Sequence, residues 1–382
     1  MKDKYYKGFN RVNQYYSFCY NSDGYPEAMY YDNLLFTAAV DKFGRTTETR
    51  LINPSIDDII STNTYTYVSG NGANTTTTLV DTETIGNYGS VDYFYLPNGN
   101  IYGEYVTRNG TEYEIYYGYD DFGQLTNEDN FFTDQTVCYT YDSGGNITSR
   151  TTYDGVWWTK DDDSERVDTY TYGDAEWKDL LTAYNGHTIT YDAIGNPTVY
   201  RRGESMTWSG GRRLTEIEFD EHGDLILFDY DNSGLRTRKE GPRVYDCNYA
   251  HTPMLFIIDY YYDDNGTLVY ERRSEDGDNA STYFTIEYFY GLNGIAGFTV
   301  MNGTSSTTYY YVKNILGDVL GITDSNGTLV AEYRYDAYGK PVKILDGNGN
   351  DVSTNYAHIA NINPIRYRGY ISKNQENIYH CL

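Results

Sequence analysis

Along this chain, short runs in which every second residue is aromatic or aliphatic alternate with clusters of turn-forming residues. Tyr139-Thr140-Tyr141, Thr169-Tyr170-Thr171-Tyr172, Ile189-Thr190-Tyr191 and Tyr333-Arg334-Tyr335 place Tyr or Ile on one face and Thr or Arg on the other. A period of two residues belongs to a strand with one packed face and one wet face. The runs end at a recurring unit of an aromatic residue, Asp, two variable residues and Gly. Clear copies pair Asp120 with Gly123, Asp142 with Gly145, Asp192 with Gly195, Asp220 with Gly223, Asp231 with Gly234, Asp263 with Gly266 and Asp336 with Gly339, and degenerate copies pair Asp41 with Gly44 and Asp324 with Gly327. Asp at the first turn position accepts the backbone N–H two residues on, and Gly three positions later takes the left-handed conformation that closes the hairpin. Each unit therefore predicts strand, turn, strand.

The spacing separates this repeat from better-known ones. Successive Asp positions lie 22 residues apart from Asp120 to Asp142, 50 from Asp142 to Asp192 and 11 from Asp220 to Asp231, which fits neither uniform propeller blades nor a rigid solenoid. A sheet built hairpin after hairpin and winding on itself fits better. Asn-Gly-Thr at Asn109, Asn265, Asn302 and Asn326 adds turns, and although the triplet is also a glycosylation acceptor, its turn chemistry is explanation enough.

Composition sharpens the expectation to an all-β chain. There are 47 Tyr against 14 Phe and 4 Trp, with 37 Gly and 8 Pro, so most aromatic rings carry a hydroxyl that needs a polar partner when buried. The formal charge of −26 repels phosphate backbones and anionic lipid, which argues against nucleic acid or membrane as partners. Met1 to Lys7 is basic, but Gly8 to Tyr20 supplies no apolar signal-peptide core, and the run Met254 to Ile258 is far too short to span a bilayer.

Candidate chemistry is sparse. Cys19, Cys138, Cys247 and Cys381 form no CxxC pair. His187, His222, His251, His358 and His380 are isolated, without a metal-binding or triad pattern, and no GxSxG elbow or phosphate loop occurs. Acidic residues are so abundant that some pair will always stand at glycosidase spacing, and the turn role accounts for the repeated Asp residues. Asp346-Gly347-Asn348-Gly349-Asn350-Asp351 has oxygens at the first, third and fifth positions of a calcium loop, but Asp351 stands where Gly is needed and Ala357 where Glu is needed, so it reads as a polar loop tip. Trp157 and Trp158, beside Asp161, Asp162 and Asp163, with Trp177 and Trp208, are the candidate stacking platform for a glycan; burial in strands is the competing account. No cofactor is expected.

Three linked segments carry a family resemblance: Trp177-Lys178-Asp179-Leu180-Leu181-Thr182-Ala183-Tyr184-Asn185-Gly186, Tyr191-Asp192-Ala193-Ile194-Gly195-Asn196-Pro197 and Thr207-Trp208-Ser209-Gly210-Gly211-Arg212-Arg213-Leu214. In this order they resemble the YD-repeat register of Rhs and wall-associated proteins. Tyr311 to Val319, Ile322-Thr323-Asp324, Tyr333 to Lys340 and Asn363-Pro364-Ile365-Arg366-Tyr367-Arg368-Gly369-Tyr370 resemble the Rhs-associated core. The likeness covers about residues 110 to 380. It divides the chain into a loosely repeat-like region over 1–110, YD repeats over 111–300 and a core segment over 301–382. What it implies is a partial β-spiral shell that in the family encloses a C-terminal toxin, a non-enzymatic scaffold that is secreted or held at the cell surface. Its implied partners are a toxin domain or further shell segments encoded elsewhere. Lys373 and Asn377 stand near positions where the family has Asp and Gly, and the chain stops at Cys381-Leu382, before the family's plug, self-cleavage aspartates and effector, so those functions do not carry over. A surface carbohydrate-binding module using exposed Tyr and Trp is the second reading, and a glycoside-active enzyme the third.

Overall fold

The computed structural model describes residues 2–6, 14–54, 58–72, 75–219, 224–243, 254–274 and 283–371. Asp220 and Gly223, together with Cys247, Cys381, His222, His251 and His380, lie outside the described residues.

Two antiparallel meanders make up almost the whole described chain. Sixteen strands run in order from Lys2–Tyr6 to His187–Thr188, and fourteen run from Thr190–Tyr191 to Pro341–Asp346, each strand pairing with its neighbours in sequence. The chain is thus all-β, in two large sheets. Ile189, between them, is buried and donates its N–H to Thr182 O at 2.8 Å, a bond that extends the last pairing of the first sheet by one residue. Among the described residues, helix is confined to the four-residue Ile359–Ile362 and to the 3-10 turns Trp157–Thr159 and Tyr367–Gly369.

One turn geometry recurs. At Asp142 the backbone N–H reaches Asn146 O at 2.9 Å and Gly145 N–H reaches Asp142 O at 3.1 Å, while Oδ1 accepts from the N–H groups of Gly144 (2.8 Å) and Asn146 (2.9 Å). Gly145 sits at φ +87°, a conformation that L side chains rarely adopt. The same backbone pair and the same fourth-residue N–H to Oδ1 bond occur at Asp41, Asp120, Asp192, Asp231, Asp263, Asp324, Asp336 and Asp346. Asn21 and Asn314 do the same in place of Asp. Register shifts by one residue at the position before the Asp, as between Thr140 and Tyr141, and such bulges increase strand twist, which curls the sheet.

The tyrosine before the turn has a partner elsewhere. Tyr141 Oη donates to Leu125 O at 2.6 Å, Tyr119 to Ile101 O at 2.7 Å, Tyr230 to Leu214 O at 2.9 Å, Tyr262 to Arg236 O at 2.8 Å, and Tyr335 to Val319 O at 2.7 Å. For Tyr141 and Tyr262 the accepting carbonyl lies two residues beyond the Gly of an earlier Asp turn, Gly123 and Gly234, so the hydroxyl fastens one hairpin to an earlier one.

The inner faces of the two sheets share a core. Met29, Leu34, Phe36 and Leu51 of the first sheet pack with Phe289 and Tyr310 of the second, and Ile85, Tyr88, Val91 and Tyr93 of the first pack with Val312, Leu320 and Leu329 of the second. The C-terminal helix lies on a further part of the second sheet, around Ile286, Tyr288, Phe298 and Ile322.

Replacing Gly234 (φ +92°) by Val forces a β-branched residue into the left-handed region and is expected to cost on the order of 1–2 kcal/mol. Asp231→Asn keeps the Oδ1 acceptor and is expected to cost roughly 0.5 kcal/mol or less, and Tyr262→Phe about 1 kcal/mol for the lost hydroxyl bond. Denaturant melts of the three variants check this order; equal losses at Gly234 and Asp231 would contradict it.

Candidate functional site

The most unusual chemistry lies in a row of acids and tyrosines on the inner face of the first sheet. Tyr93 pairs across the ladder with Glu104, and Tyr117 with Glu128. Tyr93 Oη donates to Glu83 Oε2 at 3.4 Å, and Tyr117 Oη to Glu104 Oε1 at 3.3 Å. Glu83, Tyr93, Glu104, Tyr117 and Glu128 therefore cross five consecutive strands, from Thr76–Ile85 to Leu125–Asn130, in alternation. Burial pushes each of these three carboxyls up to about 7. For Glu128 the amides of Asn130 and Ala337 pull the other way, and nearby Asp336 adds to the rise.

The second sheet closes on this row through charge. Glu332 accepts from Arg108 Nε at 3.2 Å and from Arg334 Nε at 2.7 Å, Arg334 Nη1 donates to Phe132 O at 2.7 Å, and the Arg334 guanidinium stacks 4.0 Å above the Phe132 ring. Asp336 closes its own turn with Oδ1 and binds Arg150 with Oδ2 at 2.8 Å, while Ala337 N–H donates to Glu128 Oε2 at 2.9 Å. Tyr338, at the tip of that turn, meets Tyr139 and reaches Tyr141 Oη at 3.1 Å. The alternation Tyr333-Arg334-Tyr335 marks Arg334 as facing water; in the structure both faces of this strand are packed. Glu332 and Arg334 meet the first sheet, and Tyr333 donates to Ala360 O at 2.8 Å on the other side.

The C-terminal segment completes the packing. Tyr311 Oη donates to Asn363 Oδ1 at 2.7 Å, Arg273 Nη1 to Ile362 O at 2.7 Å, and the Arg366 guanidinium lies 4.2 Å above the Tyr333 ring. Arg368 N–H donates to Asp318 Oδ1 at 2.9 Å.

The singled-out turn residues Asp120, Gly123, Asp142, Gly145, Asp192, Gly195, Asp231, Gly234, Asp263, Gly266, Asp336 and Gly339 are spread over the ends of both sheets, and only Asp336 joins the seam. Trp157 is 43% exposed in a 3-10 turn, stacked on Tyr116 at 5.2 Å and edge-on to Phe131 at 5.0 Å. The side chain of Trp158 is outside the described set. Trp208 donates to Pro197 O at 2.6 Å, and Trp177 lies against Gly195. Asp346 holds its loop as one more Asp turn, with Gly349 at φ +87°. His358 caps the short helix by accepting Ala360 N–H, and His187 is exposed at a strand end. Among the described residues no group of three metal-ligating side chains is placed to hold an ion, and no helix is long and apolar enough to cross a membrane.

The acid row fixes the direction of the pH dependence. A carboxyl whose folded pKa is about 7, against 4.5 when free, binds its proton more tightly in the folded state. Its contribution is fully present below about pH 4.5 and is lost as pH rises through 7. The turn carboxyls Asp142, Asp192 and Asp231 are held below their ordinary value of 3.8 by side-chain and backbone hydrogen-bond donors, so their contribution fades only as pH falls through and below that value. The melting temperature is therefore expected to fall between pH 5 and pH 8, and Glu128→Gln to shrink that fall; a rising profile would contradict the assignment.

Searched against family models, the chain matches none. It is 30% identical over 267 residues to a tRNA3(Ser)-specific nuclease WapA of Bacillus spizizenii, covering 69% of this chain and 10% of that protein, and 29% identical over 267 residues to a tRNA nuclease WapA of Bacillus subtilis, again over 69% and 10%. The chain thus spans about a tenth of the length of these relatives. Among solved structures it resembles the crystal structure of TcdB2-TccC3-Cdc42 with a TM-score of 0.60 at 16% identity, over 97% of this chain and 17% of that one. A Photorhabdus luminescens Tc holotoxin pore follows, with a TM-score of 0.54 at 15% identity over 94% of this chain and 19% of that one. The structural likeness establishes the fold and the sequence relatives the lineage: the chain belongs to the Rhs/YD-repeat family.

Proposed function

We propose that this chain is a non-enzymatic segment of an Rhs-type shell, whose role is to enclose a toxin domain encoded with it or beside it. The observation that supports this most directly is how the inner faces are used. Both sheets are built from one repeated hairpin, and three contacts at their seam engage a charged group of one sheet with the other: Arg108 with Glu332, Arg150 with Asp336, and Glu128 with the Ala337 N–H. Acid pairs engaged in this way are poor general acids or bases, because a catalytic group must be free to meet a substrate proton. The nuclease activity in the relatives' names is assigned, in this reading, to parts of those proteins beyond the tenth that this chain matches. Enclosing a toxin also implies work outside the producing cell, secreted or at its surface.

The purified chain is expected to leave total tRNA intact and to leave growth unaffected when expressed in bacteria. Fused upstream of a nuclease domain, it is expected to protect that domain from added protease. Cleavage of tRNA that comigrates with the chain through gel filtration would overturn the non-enzymatic reading, and a fused domain digested as fast as the free one would overturn the enclosing role.

A further inference from the structure

A cavity of about 590 Å³ lies between the two sheets, walled by Arg50, Asn63, Asn87 and Arg108 of the first and by Lys313 of the second. That volume suits a small-molecule ligand. The charge of its wall runs against the rest of the chain. Among the described residues, the lining holds three cations and no Asp or Glu, although the chain carries 55 acidic residues. Two of the cations are already matched from outside the cavity, Arg50 by Glu48 at 2.8 Å and Arg108 by Glu332 at 3.2 Å.

Lys313 is different. Its Nζ donates to two backbone carbonyls, Asn293 O at 2.9 Å and Ile295 O at 2.6 Å, which carry no formal charge. An ammonium has three donors, so one remains beyond these two bonds. Asn63 Nδ2 donates to Lys313 O at 3.3 Å and fixes the residue's backbone against the first sheet. Burial pulls the amine down to about 8, the direction expected of a cation taken from water without an anion beside it. Side-chain amides at Asn63 and Asn87 add neutral donors to the same wall. The many acids elsewhere oppose an anion only weakly, since at physiological ionic strength charges more than about 8 Å apart through solvent are largely screened.

We propose that the cavity between the sheets binds a small organic oxyanion, a carboxylate or a phosphate monoester, with Lys313 as its charge partner. Titration calorimetry on the full chain with citrate and, separately, glycerol 3-phosphate distinguishes the two sources, with spermidine as a cationic control. Saturable binding of at least one oxyanion is expected, weakened at least tenfold by Lys313→Gln and restored by Lys313→Arg. No saturable oxyanion binding to the folded wild-type chain, or equal affinity in folded Lys313→Gln, would overturn the proposal. Should the Gln variant not fold, the side-chain amine of Lys313 in the wild-type chain is followed by NMR. Its titration midpoint must rise when the probe saturates, and an unchanged midpoint would overturn the proposal equally.

Discussion

A buried tyrosine ring brings a hydroxyl that must find an acceptor, and in this chain the acceptor is a carbonyl of the preceding hairpin. That requirement turns separate hairpins into a sheet with a fixed step. Ladder hydrogen bonds alone allow a strand to slip, but slipping Tyr262 by two residues would strand its hydroxyl away from Arg236 O. Phe in the same place would bury as well and specify less. The preference for Tyr over Phe in this composition therefore follows from the architecture, in which each turn is located by the one before it.

The seam between the sheets follows a different logic. Burying Arg108 and Glu332 together is close to break-even, because desolvation offsets their attraction, whereas removing one partner leaves a buried charge at a cost of about 3–5 kcal/mol. What such pairs fix is which turn of the second sheet meets which strands of the first. Asp336 shows how little sequence this needs, since one carboxylate closes a turn with one oxygen and holds Arg150 with the other.

The turns were legible because their demands are local: an acceptor at one position and a residue tolerant of positive φ three positions later. Asn21 and Asn314 stand outside the Asp pattern although a side-chain amide oxygen accepts the same bond, and the polar loop at Asp346 has no aromatic residue before it although it makes the full turn. The reach of each tyrosine was not legible, since the acceptor lies 16 residues back for Tyr141 and 26 for Tyr262. Least visible was the seam. Glu128 sits in the polar strand Leu125-Thr126-Asn127-Glu128-Asp129-Asn130 yet is buried, and Arg334 alternates with tyrosines as a solvent-facing residue would. Burial there depends on a sheet arriving from far along the chain, which no window of sequence contains. The break at Ile189 is equally silent, because Ile189-Thr190-Tyr191 reads as one more alternating strand.

Sequence distance also separates what forms early from what forms late. Turn bonds link residues two to four apart, hydroxyl bonds link neighbouring hairpins, and the seam joins Arg108 to Glu332 across 224 positions. Loop-closure entropy rises with separation, so the seam is the contact whose formation depends on everything else being in place. The same ordering holds in reverse. Parting the two sheets breaks ion pairs and exposes the acid row, yet leaves the described hairpins within each sheet with their own turns and ladders. The two sheets are thus preformed units, and the ion pairs of Arg108 with Glu332 and of Arg150 with Asp336 lie at the boundary between them rather than inside either one.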